Sequence, residues 1–294
     1  MTSRPVDAHT SFCPVCHTWS DGFAPGPGGR PEARCPRCQS LERHRFLGLL
    51  LESMAPSISS ARGLLDVAPS GHLTALLKRL APHGYVRIDL DPAADRRAVD
   101  VQASLTQLPF AAESFDLVIC YHVLEHVPDD SAAMHELARV VRPGGIAIVQ
   151  VPWRANALTD EDPSASAEER VRRFGQADHV RWYGTDFDDR LRAAGLTPLR
   201  FLPTDVLDRS LCRLMRLNPE EPVWILHRTA TAVGSESVTP EPSRPDLANR
   251  TLAAFARELD ATRRDAERYR AAYARLRWLP PIRAAVALAR PFRR

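Results

Sequence analysis

Between residues 63 and 229, short apolar runs alternate with stretches that keep helical spacing, and this alternation restricts the fold more than any other feature. The runs fall at 63–68, 85–90, 115–121 and 145–151. Leu73, Leu76, Leu77 and Leu80 keep helical spacing between the first two, and Met134, Leu137, Val140 and Val141 do so between the last two. Strands separated by helices of this length form βαβ units, which place the strands side by side and parallel. Two later runs, 198–202 and 223–227, close the region. An α/β core with a mostly parallel sheet is therefore expected. The segment 153–181 is too long for an ordinary connection and holds no clear strand, so it is read as a lid-like insertion.

The N-terminal stretch obeys a different logic. Cys13-Pro-Val-Cys16 and Cys35-Pro-Arg-Cys38 are two tight turns, each able to bring two thiolates onto one cation. The Gly- and Pro-rich loop between them has too few apolar residues to hold itself together, so a metal would supply its folding energy. A redox role is the competing account of Cys-x-x-Cys. Two pairs at ribbon spacing, ahead of any βαβ unit, favour structural Zn²⁺ on Cys13, Cys16, Cys35 and Cys38. All four positions are cysteine, which leaves no open coordination position for catalysis.

Composition narrows the partners. At 44% hydrophobic and 26% charged residues, the chain is neither disordered nor fibrous. Lys78 is the only lysine, so the abundance of arginine reflects codon bias more than polyanion binding, and the net charge is only +3. Nucleic acid is not the expected partner. No early apolar segment follows Met1, and no run of about 18 apolar residues is present. With Cys120 and Cys212 standing alone, the cysteine usage suits a reducing compartment, and a cytoplasmic location is expected.

Two acids then stand out at strand ends. Asp66 closes the first apolar run just before Val67-Ala68-Pro69-Ser70-Gly71, a tight turn leading into a helix. Asp89 closes the second, about twenty residues after that turn, where an acid can accept from both ribose hydroxyls of an adenosine cofactor. These features alone leave a nicotinamide enzyme and a methyltransferase both open. The turn lacks the Gly-x-Gly-x-x-Gly that admits a pyrophosphate, which counts against a dinucleotide.

The segments Leu108-Pro109-Phe110, Ser114-Phe115-Asp116-Leu117-Val118-Ile119, His122-Val123-Leu124-Glu125-His126-Val127 and Val141-Arg142-Pro143-Gly144-Gly145 decide between them. In order, spacing and residue type they resemble the motifs of class I methyltransferases acting on small molecules. That resemblance implies a Rossmann-like seven-stranded sheet with its last strand antiparallel and S-adenosylmethionine across the carboxyl ends of the first strands. The ribbon followed by Ser40-Leu41-Glu42-Arg43-His44-Arg45, with Phe174-Gly175-Gln176 and Asp178-His179-Val180-Arg181, is further similar to a bacterial family of zinc-ribbon methyltransferases. Carried over, Asp66 would order the first turn and approach the methionine amino group. Ala68, Pro69 and Gly71 would face the cofactor, and Asp89 would hold the ribose. Ser104 and Leu105 would flank the adenine, and Tyr121 and His122 would line the methionine side. The chain departs from the usual Asp-x-Gly-x-Gly-x-Gly, because Ala68, Ser70 and His72 take the glycine positions, and Ser104 takes that of an acid.

Methyl transfer needs in-line positioning of the nucleophile, and an oxygen nucleophile also needs a base. Glu125, His126 and His179 are the candidates; capping, cofactor contact or loop anchoring are the alternative roles of the same residues. The expected acceptor is a small molecule or glycan precursor attacked through oxygen. A nucleic-acid or protein methyltransferase with the ribbon as reader, and a non-catalytic scaffold, are the competing accounts. The domains expected are a ribbon at 1–41, the methyltransferase unit at 42–232, a linker at 233–245 and a helical extension at 246–294. Within the last, Leu252, Phe255, Leu259, Thr262, Ala266, Tyr269, Tyr273 and Leu276 form a coiled-coil seam suited to a homodimer. No acid follows Glu267, so the arginine-rich tail suits peripheral contact with an anionic membrane surface, at its inner face.

Overall fold

The computed structural model describes residues 11–228, apart from 60, 82–83, 94–97 and 208. The linker, coiled-coil helix and basic tail, with the dimer and membrane contacts expected of them, lie outside the described residues. No helix among the described residues is long and apolar enough to cross a membrane.

The centre is a seven-stranded sheet of β1 (Leu64–Val67), β2 (Tyr85–Asp89), β3 (Val101–Gln102), β4 (Phe115–Tyr121), β5 (Val141–Gln150), β6 (Leu196–Phe201) and β7 (Val223–Arg228). Across the sheet they run β6-β7-β5-β4-β1-β2-β3. The five strands β1 to β5 pair in parallel, and β7 runs antiparallel to both of its neighbours. This is the Rossmann-like methyltransferase order, with the reversed last strand that the motifs imply. The parallel strands are apolar without interruption because both faces are covered. Leu64, Ile146 and Ile148 point to one core with Phe46, Leu50, Leu73 and Leu77. Leu65, Ala147 and Val149 point to the other, with Met134, Leu137 and Phe187. Helices α1 (Glu42–Ser53) and α2 (Gly71–Leu80) cover the first face, and α3 (Asp130–Val140) and α5 (Phe187–Ala193) cover the second.

Two local expectations change, and one strand was not expected at its place. Val141 leaves the helical pattern and opens β5, pairing with Phe115, because Pro143 disfavours helical backbone at Arg142 and so ends α3. β3 is a two-residue edge strand with no period to read. The insertion at 153–181 is ordered: Asp160–Glu161 pairs antiparallel with Arg181–Trp182, and α4 (Ala167–Phe174) lies between them. Ser166 caps α4 by accepting from the Glu169 amide at 3.2 Å, and Gly175 closes it at φ 83°, a left-handed conformation that costs glycine nothing.

The N-terminal ribbon pairs Ser11–Cys13 with Thr18–Ser20 and packs through Phe12, Val15 and Trp19 on the first core and the helices that cover it. A Cβ on Gly48 of α1 would stand 3.0 Å from a Val15 methyl, so glycine permits that close seating. Arg45, fully buried, fastens the joint. Its guanidinium donates to the carbonyls of Ala33 (2.9 Å) and Ser40 (2.7 Å) in the ribbon. It also donates to those of Met215 (2.7 Å) and Arg216 (2.5 Å), before β7.

Candidate active site

A cavity of about 930 Å³ opens at the carboxyl ends of β1, β2, β4 and β5. That is the upper end of the range for ligand sites, enough for a nucleoside with a second small molecule beside it. Such edges suit ligands because the strand-to-helix turns present unpaired backbone amides there.

At one end the wall comprises Ala68, Asp89, Ser104, Leu105 and His122. Ala68 follows β1 with φ 51°, a left-handed conformation that a glycine would adopt without cost and that alanine adopts under strain. The other two glycine positions of the usual motif are committed elsewhere. Ser70 Oγ lies 3.4 Å from His44 Nε2, and His72 Nδ1 lies 3.0 Å from the Cys38 carbonyl. The first turn is thus tied to α1 and to the ribbon. Asp89 is 8% exposed and accepts from the Asp91 amide at 2.9 Å, which fixes its carboxylate at the end of β2. Asp66, Pro69, Gly71 and Tyr121 stand outside the cavity wall. The Asp66 carboxylate accepts from the Tyr85 hydroxyl at 2.8 Å, and Tyr121 packs against the first core.

The other end holds Glu125, His126 and His179, each offering a ligand atom within 4.8 Å of the others. Glu125 and His126 sit on the 3₁₀ turn Leu124–His126 after β4, and His179 arrives from the insertion. Backbone pairing joins the two, since the Val180 amide donates to the Glu125 carbonyl at 2.9 Å. Buried Arg181 adds a fork onto the carbonyls of Leu124 (2.8 Å), Pro128 (2.9 Å) and Val127, and pairs with Glu161 at 3.0 Å. Glu125 is fully buried and meets His122 Nδ1 at 3.0 Å. Burial pulls the His122 imidazole down, but the hydrogen bond to Glu125, the charge of Glu125 and the hydrogen bond to Glu221 together outweigh this, and the net shift is upward. Burial likewise raises the Glu125 carboxyl, and the hydrogen bond to His122 with the charges of His122 and His126 together outweigh it, leaving Glu125 below the usual carboxylate range. Burial holds His179 below its ordinary value, so its ring is uncharged at neutral pH. His126 Nδ1 pairs with Asp178 at 3.1 Å.

Arg43 and Glu221 line the same cavity and are not among the site residues expected from the sequence. Burial lowers the Arg43 guanidinium, with Glu221 opposing, and Glu221 approaches His122 Nε2 to 3.5 Å. The Asn-Pro turn at 218–219, followed by two acids before a strand, was the available signal for Glu221.

In the ribbon, the four cysteine sulfurs converge, with Cys13 and Cys38 at 3.6 Å and Cys16 and Cys35 at 3.7 Å. Ser40 Oγ lies 3.1 Å from the Cys38 sulfur. The hydrogen bond between Cys13 and Cys38 lowers the Cys38 thiol and raises that of Cys13, so the pair shares one proton.

Residues 65–149 match a methyltransferase domain family. An uncharacterised methyltransferase of Mycobacterium sp. (strain JLS) is 33% identical over 132 residues, 38% of this chain and 52% of that protein. A ubiquinone biosynthesis O-methyltransferase of Paracidovorax citrulli is 32% identical over 127 residues, 43% of this chain and 45% of that one. This chain spans about half the length of the curated relatives it matches. The structure of a 1,6-didemethyltoxoflavin N1-methyltransferase from Burkholderia thailandensis overlays with a TM-score of 0.40 and 16% identity, over 62% of this chain and 79% of that one. That overlay is too loose to transfer residue roles. Residues 65–149, nearly all of the stretch from β1 through β5, are thus similar to the methyltransferase domain family.

Proposed function

We propose that the chain is an S-adenosylmethionine-dependent methyltransferase acting on a hydroxyl of a small molecule or glycan precursor. The observation that carries this reading is one continuous cavity with two chemically different ends. A buried acid at the β2 end and a left-handed turn after β1 fit an adenosine and its aminoacyl arm. A cluster of electron-pair donors faces them across the cavity. Asp89 holds the ribose hydroxyls, Ser104 and Leu105 flank the base, and the Ala68 backbone and His122 border the methionine arm. Asp66, Pro69, Gly71 and Tyr121 act from behind the wall, Asp66 through Tyr85. The cofactor brings a sulfonium-activated methyl group, so the protein's task is to aim the acceptor oxygen and remove its proton. Glu125, His126 and His179 take that task, and the insertion that brings His179 closes over the acceptor. Trp153, Phe174 and Trp182 in the same wall offer flat apolar surface to a ring-shaped acceptor. Among relatives, the name ubiquinone biosynthesis O-methyltransferase agrees with methylation at oxygen.

The ribbon holds structural Zn²⁺ in this reading. Tetrahedral zinc with Zn–S bonds of about 2.3 Å separates its sulfurs by about 3.8 Å, close to the spacing of both cysteine pairs. A cytoplasmic site of action rests on the six unpaired cysteines.

Calorimetric titration of the zinc-loaded protein with S-adenosylhomocysteine tests the cofactor site. Saturable binding is expected, weakened roughly 10- to 100-fold in Asp89→Ala by loss of the charge-assisted bonds to the ribose. Folded protein that ignores the ligand would refute the assignment and put the scaffold reading in its place.

A further inference from the structure

The geometry points to a second metal site, in which Glu125, His126 and His179 bind a divalent transition-metal ion that presents the acceptor oxygen. This rests on the methyltransferase reading and specifies how the proton is removed.

Among the described residues, two buried polar atoms in this cluster lack a hydrogen-bond partner, Glu125 Oε2 and His179 Nδ1. The residues that carry them are 0% and 4% exposed. Buried atoms of this kind almost always have a partner, so two together ask for a ligand. Both act as electron-pair donors, and a hydrogen bond between them cannot satisfy either one. A single cation satisfies both.

The far side of each ligand is already secured. Glu125 Oε1 is held by His122 at 3.0 Å, and the His126 ring by Asp178 at 3.1 Å. His179 is hydrogen-bonded to the Phe174 backbone, and because Nδ1 is unpartnered this bond uses Nε2. Outer contacts to carboxylates and carbonyls are how metal-binding histidines are oriented. Two imidazoles and one carboxylate suit zinc, manganese or ferrous iron, and three protein ligands leave positions open to a substrate. Bonds of about 2.1 Å would draw the donors, now within 4.8 Å, to about 3.4 Å of one another, a movement within reach of side-chain rotation.

The ion supplies Lewis acidity, lowering the pKa of a hydroxyl that reaches it. The acceptor loses its proton to water at the half-exposed His126 side of the cluster. Its oxygen then forms the bond to the methyl carbon as the carbon–sulfur bond breaks, and that electron pair returns to sulfur.

The test is Mn²⁺ titration of the full chain with its ribbon zinc in place, followed by calorimetry and electron paramagnetic resonance. Mn²⁺ prefers oxygen and nitrogen donors and leaves thiolate-bound zinc undisturbed. One Mn²⁺ per chain is expected, bound at least about 100-fold more weakly in Glu125→Gln and His179→Asn. Asp178→Asn, a change at an exposed residue compatible with folding, should weaken it about 10- to 100-fold. Absence of Mn²⁺, Zn²⁺ and Fe²⁺ binding beyond the ribbon zinc, in protein that binds S-adenosylhomocysteine, overturns the site. So does Mn²⁺ affinity unchanged in folded variants. Protein that binds Mn²⁺ through these residues but not S-adenosylhomocysteine supports the cation site and removes the methyltransferase reading.

Discussion

Replacing Arg45 should loosen the ribbon and the sheet together. In Arg45→Met the side chain keeps much of its volume but loses the fork that satisfies four carbonyls, two in the ribbon and two before β7. Each such charge-assisted bond is worth about 1.5–3 kcal/mol, yet the sum overstates the loss because water and backbone shifts recover part of it. Buried carbonyls left without a donor cost about 1–3 kcal/mol each, and with that partial recovery about 3–5 kcal/mol is the expected destabilisation. The guanidinium also faces the sulfurs: burial pulls it down to about 10, Cys13 and Cys35 oppose this, and it stays charged at neutral pH. Arg45→Lys keeps the charge but cannot span both pairs of carbonyls, and should cost about 2–3 kcal/mol. Urea unfolding gives the energies, and zinc transfer to a chromophoric chelator reports the ribbon. Both variants should release zinc faster, Met more than Lys. A loss below about 1 kcal/mol in Arg45→Met, with zinc release unchanged, would show that the fork does not join the two parts.

Two further outcomes follow from backbone and burial. Ala68→Gly should be neutral or up to about 1 kcal/mol stabilising, because relief of left-handed strain exceeds the added unfolded-chain entropy, whereas Ala68→Val should lose about 1–2 kcal/mol. Thermal melts showing the reverse order would remove the strain argument. Burial holds His44 down at about 2, where the Leu41 amide donates to its Nδ1 at 3.2 Å. The unfolded chain therefore takes up a proton first as pH falls below about 6.5, and native stability drops through that window. Between pH 7.5 and 5.5 the wild type should lose about 1.4 kcal/mol more than His44→Gln, with acid loss of zinc common to both. Parallel stability curves would contradict the assignment.

The parallel strands were legible because burial on both faces leaves unbroken apolar runs, and β4 begins and ends where its run does. β3 was not, since two residues carry no period. The insertion looked strandless because its pairing, Asp160–Glu161 with Arg181–Trp182, involves polar residues twenty positions apart. Asp89 could be read from its place at a strand end, which is a local signal. Arg43 and Glu221 could not, because they reach the cavity from α1 and from the turn before β7, a convergence that only packing decides. The replaced glycines were visible as departures, but their cause lay in His44 and Cys38, many residues away.

The bond between His72 and the Cys38 carbonyl bears on how such a chain can be rebuilt. A cysteine knuckle that shares a hydrogen bond with the turn after β1 is not an exchangeable cassette, even though the sequence changes character near residue 41. A ribbon grafted from a relative would arrive without its counterparts Arg45, His72 and Arg216, the last of which pairs with Glu32 at 2.8 Å. The heritable unit is the knuckle together with the face that receives it. Chimeras cut at residue 41 should fold poorly, while those that carry these three positions along should survive.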